Sequence, residues 1–501
     1  MYLLGLDIGS SSVKVALVST ATTEMVAMAQ SPNTEMEIAS PHEGWAEQHP
    51  DLWWTHLVAA CQDLAALHPE KMKAVQAIGI SYQMHGLVLL DENDEILRPA
   101  IIWCDSRAVE IGEAAFAEIG QSTCLHHLLN SPGNFTASKL RWVQENEPET
   151  YAKVAVAMLP GDFIAFKLTG IVATTASGLS EGILWDYLEQ APAQLVMNQY
   201  EIDSGLLPQV LPTFGEQGKV TPQVAQVLGL PSGIPVSYRA GDQPNNALSL
   251  HVLNPGEVAA TGGTSGVVYG VVEEPLFDPE SRVNGFLHVN HLPEKPRIGV
   301  LLCINGAGIQ FSWLRRMTSH QPLSYTDMSL AAEEIPVGSS GISMLPFGNG
   351  AERMLGNKAL GAHIHNLDFN RHHIGHLYRA ALEGIAFSFV YGLEIMKGMG
   401  METTRLKVDS HNLFQSQVFS QTIANLSRCQ IDMLDTNGAI GAARGAGFGA
   451  GIYQTLDEAV GRQRILKQYH PQDETQPFEV AYQRWKQLLQ ESIQNPIFSA
   501  L

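Results

Sequence analysis

Asp7, Gly9, Ser10, Ser11, Ser12 and Lys14 crowd into one short stretch at the start of the chain. The glycine permits a sharp turn. The serines offer hydroxyls and exposed N–H groups, and Lys14 adds a positive charge, so a turn of this composition can hold an anion. Asp7 stands too near such an anion to face it without a metal ion or a water between them. A polar β-hairpin with no ligand accounts for the same residues. At mid-chain, Gly241-Asp242-Gln243 follows an extended run over 234–240. A carboxylate freed by a preceding glycine at a strand end suits a general base. An Asx turn or a helix N-cap before Ala247-Leu248-Ser249-Leu250 explains it equally, and the roles can coexist. Between these points lie Gln83-Met84-His85-Gly86 and Cys104-Asp105-Ser106-Arg107. Amide, imidazole, carboxylate and guanidinium together supply the donors and acceptors that a polyhydroxylated ligand needs. A structural histidine and a local Asp105–Arg107 ion pair are the plainer alternatives.

The elements that must position these groups follow from periodicity. Apolar runs over 3–8 and 13–18 flank the first turn as strand, turn, strand. A helix is expected over 51–66, with Leu52, Trp53, Leu57, Val58 and Leu64 on its apolar face. A buried strand over 75–81 delivers Gln83 to Gly86. A strand over 87–91 resumes, and a short one over 97–103 ends at the Cys104 cluster. Two strand ends of one sheet would then carry polar clusters, which is where open sheets bind ligands. Helices are expected over 110–119, 136–147 and 163–168, and residues 174–181 read as a loop dense in hydroxyls. Residues 258–269 repeat the first motif as strand, Gly262-Gly263-Thr264-Ser265-Gly266 turn, strand. Two halves that each open on a phosphate-cradling hairpin suggest an internal duplication. Both tips would reach one triphosphate from opposite sides of a cleft faced by Asp242. Further helices are expected over 309–317, behind Asn305-Gly306-Ala307-Gly308, and over 376–396, 413–426 and 478–493. The small residues over 437–447 permit close helix packing or a nucleotide-facing surface.

Composition sets limits. The 501 residues carry a net charge of −21, with 45% hydrophobic and 16% charged residues. That allows two to four domains with substantial cores and argues against nucleic acid as a partner. A phosphate ligand stays open, because backbone N–H groups and one or two lysines can bind phosphate within an acidic protein. Cys61, Cys104, Cys124, Cys303 and Cys429 are odd in number and form no CxxC, as expected of reduced thiols in the cytoplasm. No apolar run reaches the length of a membrane span, and the chain opens on a strand rather than a basic leader. Monomer and homodimer both fit.

At this point the residues resemble the FGGY family of carbohydrate kinases, within the actin-like ATPase superfamily, along nearly the whole chain. The stretch from Asp7 to Lys14 resembles the first phosphate loop, and Gly262 to Gly266 the second. Lys139-Leu140-Arg141-Trp142-Val143 and Ala380-Ala381-Leu382-Glu383-Gly384-Ile385-Ala386 resemble the two diagnostic segments. Residues 162–170 and 177–186 follow the family's order, and Gly241-Asp242 matches its catalytic aspartate. Gln83-Met84-His85-Gly86 and Trp103-Cys104-Asp105-Ser106-Arg107 are similar to the pentulose kinases of that family. The resemblance implies an α/β protein of two actin-like (ribonuclease H-like) domains with a catalytic cleft between them. Residues 1–245 would carry the sugar site and first phosphate loop, and 246–501 the nucleotide site and second loop. It implies phosphorylation of a ketopentose at C5, D-xylulose foremost, by ATP with Mg²⁺. Asp242 would be the base and Asp7 the magnesium-holding catalytic carboxylate. Gln83, Met84, His85, Asp105 and Gln243 would meet the sugar. Ser10, Ser11, Ser12, Lys14, Gly262, Gly263, Thr264, Gly308 and Asn412 would meet ATP.

The chain departs from that pattern in three places. Val408-Asp409-Ser410-His411-Asn412 stands where the family has a Gly-Gly-Ala-type turn beside the adenosine. Tyr238-Arg239 is bulkier than the residues usual before the catalytic Gly-Asp, and Thr175 replaces an acidic residue. A kinase for another ketose or polyol, and a catalytically weak sugar-binding protein on the same scaffold, are therefore the competing expectations.

Overall fold

The computed structural model describes residues 1–318, 323–410 and 412–494; His411 of the departing turn lies outside them. Two mixed sheets organise the chain. The first contains β1 (Tyr2–Ile8), β2 (Val13–Ser19), β3 (Met25–Ser31), β4 (Val75–Tyr82) and β5 (Val236–Gly241) in the order β5-β4-β1-β2-β3. β1, β4 and β5 run parallel, while β2 and β3 are antiparallel hairpin strands. The second contains β6 (Val258–Gly262), β7 (Gly266–Val272), β8 (Asn284–Leu287), β9 (Ile298–Ile304), β10 (Arg405–Asp409), β11 (Gln430–Leu434) and β12 (Ile465–Tyr469) in the order β8-β9-β7-β6-β10-β11-β12. Within it, β11-β10-β6-β7-β9 repeats the first sheet strand for strand: parallel, parallel, antiparallel, antiparallel. The repetition expected from two similar hairpins thus extends to whole sheets.

Helices α1 (Pro50–Leu67), α2 (Thr136–Asn146), α3 (Pro160–Thr169), α4 (Ala176–Glu181) and α5 (Asp242–Ser249) accompany the first half. Helices α6 (Gly308–Thr318), α7 (Ile374–Gly398) and α8 (Gly438–Gly449) accompany the second. Three expectations need correcting. Residues 174–181 are a short strand followed by α4 rather than a loop, because the Thr175 hydroxyl caps the helix by accepting from the Gly178 N–H at 3.0 Å. The helix expected over 413–426 begins with a separate 3₁₀ turn, and its α-helical part is Gln417–Ser427, capped by Ser416. The strand segments after β4 do not belong to the first sheet. Val88–Leu90 pairs with Val156–Met158, and Ala100–Ile101 with Glu47–Gln48, in two small ribbons. The two polar clusters therefore sit on different sheets.

The small residues at 437–447 serve close packing. Helix α8 lies directly on the first sheet: a methyl group at Gly5 would overlap the Ala439 carbonyl oxygen, and one at Gly79 that of Ala442. Leu3, Ala16, Val18, Tyr238, Ala442, Ala443 and Ala446 form the resulting apolar cluster. A larger core runs without a break from Met84, Leu140 and Trp185 to Val267, Phe286 and Leu302, and so spans both halves.

Candidate active site

Parallel pairing of β1, β4 and β5 places three strand ends side by side. Asp7 is opposite Ser81, and Gly241 is opposite Tyr82. The first hairpin tip, the Gln83–Gly86 turn and Asp242 therefore leave the sheet together, at the carboxyl edge where open sheets hold ligands.

Asp7 is cross-strand partner to Lys14 and accepts the Ser81 hydroxyl hydrogen at 2.9 Å. Burial holds its carboxyl above the usual range, with Lys14 and Ser81 pulling against that. Its second oxygen faces the start of α8, where a methyl at Gly438 would lie 2.8 Å away. A side chain at 438 would therefore collide with the carboxylate. Ser10, Ser11 and Ser12 brace the tip through their carbonyls, which accept from Gln48, Met36 and Gly9 respectively. The Ser10 hydroxyl takes the Trp103 indole N–H at 3.2 Å.

Asp242 is the first residue of α5, and Gly241 is the N-cap. The aspartate is thus not itself the cap. Both Asp242 and Gln243 are part-exposed. Burial first, and then the charge of Asp7, push Asp242 up to about 7.

His85 has a left-handed backbone, φ 60°, uncommon for a residue with a side chain and typical of functional turns. Its Nδ1 lies 2.8 Å from the Glu181 carbonyl oxygen. That acceptor requires Nδ1 to carry the hydrogen, which leaves Nε2 as an acceptor. Burial, then Lys139, lower the ring to about 3, so it is neutral. Phe135 and Phe286 flank it with centroids at 4.7 and 5.3 Å, the second from the opposite half. Met84 is buried against Gly241. The Gln83 amide donates to Gln48 at 3.4 Å, while its buried Oε1 is without a protein partner among the described residues.

Asp105 is fully engaged by protein groups. It is 2% exposed and binds Arg107 at 2.7 Å and the Ala46 N–H at 2.7 Å. Arg107 in turn stacks on Trp45 at 3.8 Å. The local ion pair is what forms. Around the second tip, Gly308 and Ile309 donate their N–H groups to the carbonyls of Gly263 and Thr264 at 3.1 and 3.0 Å. A methyl at Gly262 would meet Leu413 at 3.1 Å and Asn412 at 3.7 Å. The Asn412 amide donates to Asp409 at 2.8 Å and to Thr261 at 3.3 Å. Side chains thus occupy the departing turn and tie it to the second hairpin.

Residue types alone did not single out Glu181, Phe135, Phe286 or Arg353. Arg353 crosses between the halves, donating to Asn130 at 3.0 Å and Ser131 at 2.8 Å. Lys139, noted above only within a diagnostic segment, is buried and donates to the carbonyls of His85 and Ile102 at 2.8 and 2.9 Å. It therefore holds the ends of both polar turns, even though they lie on different sheets.

The chain belongs to the FGGY family of carbohydrate kinases. The model of that family's N-terminal domain matches residues 2–249, and the model of its C-terminal domain matches 258–450. The particular relatives are consistent with one another. A xylulose kinase from Escherichia coli (strain K12) is 29% identical over 94% of this chain and 95% of its own length. One from Bacillus subtilis (strain 168) is 28% identical over 91% and 90%. The crystal structure of a xylulose kinase from Rhodospirillum rubrum superposes with a TM-score of 0.85 at 25% identity, covering 98% of this chain and 99% of that one. The repeated sheets are thus the two actin-like α/β domains of a sugar kinase.

Proposed function

We propose that this protein transfers the γ-phosphoryl group of ATP to the C5 hydroxyl of D-xylulose. The observation that carries this reading is the emergence of Asp7, the His85 turn and Asp242 from three adjacent parallel strands. The names of the relatives supply the sugar.

In this reading the ketose lies between His85 and Asp242. His85 Nε2 accepts a hydrogen bond from one hydroxyl, and Asp242 takes the proton from C5–OH as that oxygen attacks. The two hairpin tips and Lys14 orient the phosphates and offset their charge. Asp7 fits a magnesium ion, being a part-exposed carboxylate at the end of β1 beside the first tip. Among the described residues no three ligating side chains gather into a cage, and magnesium at nucleotide sites takes one or two carboxylates together with phosphate and water. When bound, the ion would neutralise phosphate charge. Exclusion of water on closure would keep the phosphoryl group for the sugar. We divide the chain at 245/246 into sugar and nucleotide domains, with α8 lent back to the first sheet, and place the reaction in the cytoplasm.

An ADP-release assay over ketopentoses, longer ketoses and polyols, with ATP and GTP as donors, tests the reading. D-xylulose with ATP is expected to turn over fastest. Asp242→Asn is expected to lose about 10²–10⁴-fold in kcat while still binding D-xylulose by calorimetry. Binding without turnover of any sugar would support the weak sugar-binding alternative, and an active Asp242→Asn would remove the base.

A further inference from the structure

Glu181 is a buried carboxyl group beside the backbone that precedes the base, and the reaction above leaves it unused. It closes helix α4 and is 1% exposed. One carboxyl oxygen accepts the His85 backbone N–H at 3.4 Å, and the Glu181 main-chain carbonyl receives the His85 ring at 2.8 Å. The other carboxyl oxygen covers Gly241 so closely that a methyl there would overlap it. The residue therefore touches, at once, the strained turn that carries the sugar-binding imidazole and the backbone immediately before Asp242. Burial and the Asp242 charge hold its carboxyl well above the usual range, so a neutral amide of the same shape is a close mimic.

We propose that Glu181 is a positioning residue: its side chain holds His85 in the left-handed conformation and seats it against the floor of the base, so that the sugar site and the aim of Asp242 are set as one unit. The proposal rests on the ketose-kinase reading of His85 and Asp242. It differs from plain core packing because the carboxyl must accept a hydrogen bond, not merely fill space.

The test compares Glu181→Gln and Glu181→Met, each alone and with His85→Ala, by steady-state kinetics with D-xylulose and ATP, calorimetric D-xylulose binding and thermal midpoint. Glu181→Gln is expected to keep the D-xylulose KM within about threefold of wild type, whereas Glu181→Met raises it about tenfold, the loss of roughly one hydrogen bond. The KM for ATP stays within about twofold in both. In the His85→Ala background the Met substitution is expected to weaken calorimetric D-xylulose binding by less than about a further twofold, because the imidazole that Glu181 aims is gone. A folded Glu181→Met protein with wild-type KM, or an equal loss of D-xylulose binding in both backgrounds, overturns the proposal. If Glu181→Met fails to fold, Glu181→Ala takes its place, and if that fails too, Glu181 serves folding and the proposal is overturned. Wild-type protein inactive on every ketose would strike the function itself, whereas active wild type with unaffected variants strikes only this inference.

Discussion

At Asp242 burial and the neighbouring Asp7 charge raise the carboxyl from an ordinary 3.8 to about 7. A base acts only when ionised, so kcat/KM for the sugar, which reports the free enzyme, is expected to rise with pH through about 7 and level off above it. Stability should move the opposite way. The folded protein keeps a proton there that the unfolded chain loses near pH 4, so the folded state's advantage is present in acid and disappears as pH rises through about 7. Asp242→Asn, unable to ionise, is accordingly expected to unfold at a higher temperature than wild type at pH 8 and at the same temperature at pH 4. Thermal scans in magnesium-free buffer check this, and equal midpoints at pH 8 would contradict it. The placing of Asp7, His85 and Asp242 at strand ends was legible from the glycine or turn beside each, and parallel pairing brings those ends together. At Asp105 residue types left a ligand contact and a local ion pair both open: the pairing with Arg107, two residues on, was legible, whereas the Ala46 and Trp45 contacts come from a separate segment.

Among the elements, α8 shows how a pattern readable two ways is decided. Its glycines and alanines were compatible with facing a nucleotide or with packing tightly. The helix lies on β1 and β4 where Gly5 and Gly79 leave no room for a methyl. Gly79→Ala must push the backbones apart and is expected to cost about 1–3 kcal/mol, read as a lower urea midpoint with an unchanged slope. Wild-type stability in that variant would mean that the helix can shift freely. The strands after β4 were legible as strands, but their ribbon partners, Val156–Met158 and Glu47–Gln48, come from distant segments that hydrophobic alternation cannot match.

Across the whole molecule, the two halves share one apolar core and a polar seam. Arg353 of the second half reaches Asn130 and Ser131 of the first, and the Leu287 N–H donates to Ser180 at 3.0 Å. Phe286 enters the His85 surroundings along the same seam. Arg353→Ala leaves Asn130 and Ser131 without this donor and is expected to destabilise the protein by about 1–3 kcal/mol, measured by urea unfolding. Arg353→Lys should recover part of that, because one ammonium can serve Asn130 and Ser131, as a single guanidinium nitrogen does here, but cannot also hold the Ser281 carbonyl that Nε binds at 2.9 Å. An unchanged midpoint in Arg353→Ala would show that the seam contributes nothing.

The sequence by itself determined the local chemistry: two glycine-rich hairpin tips, a glycine-freed aspartate at a strand end and a polar turn after a buried strand. Those depend on backbone freedom and short-range alternation, which neighbouring residues carry. Only the tertiary structure decided which groups meet. Glu181 under the base, Phe286 beside the imidazole, Lys139 holding two turns and α8 on the first sheet all arise from contacts between segments far apart in the chain. Burial also moves proton affinities in ways that residue type does not encode, as at Asp242 and His85.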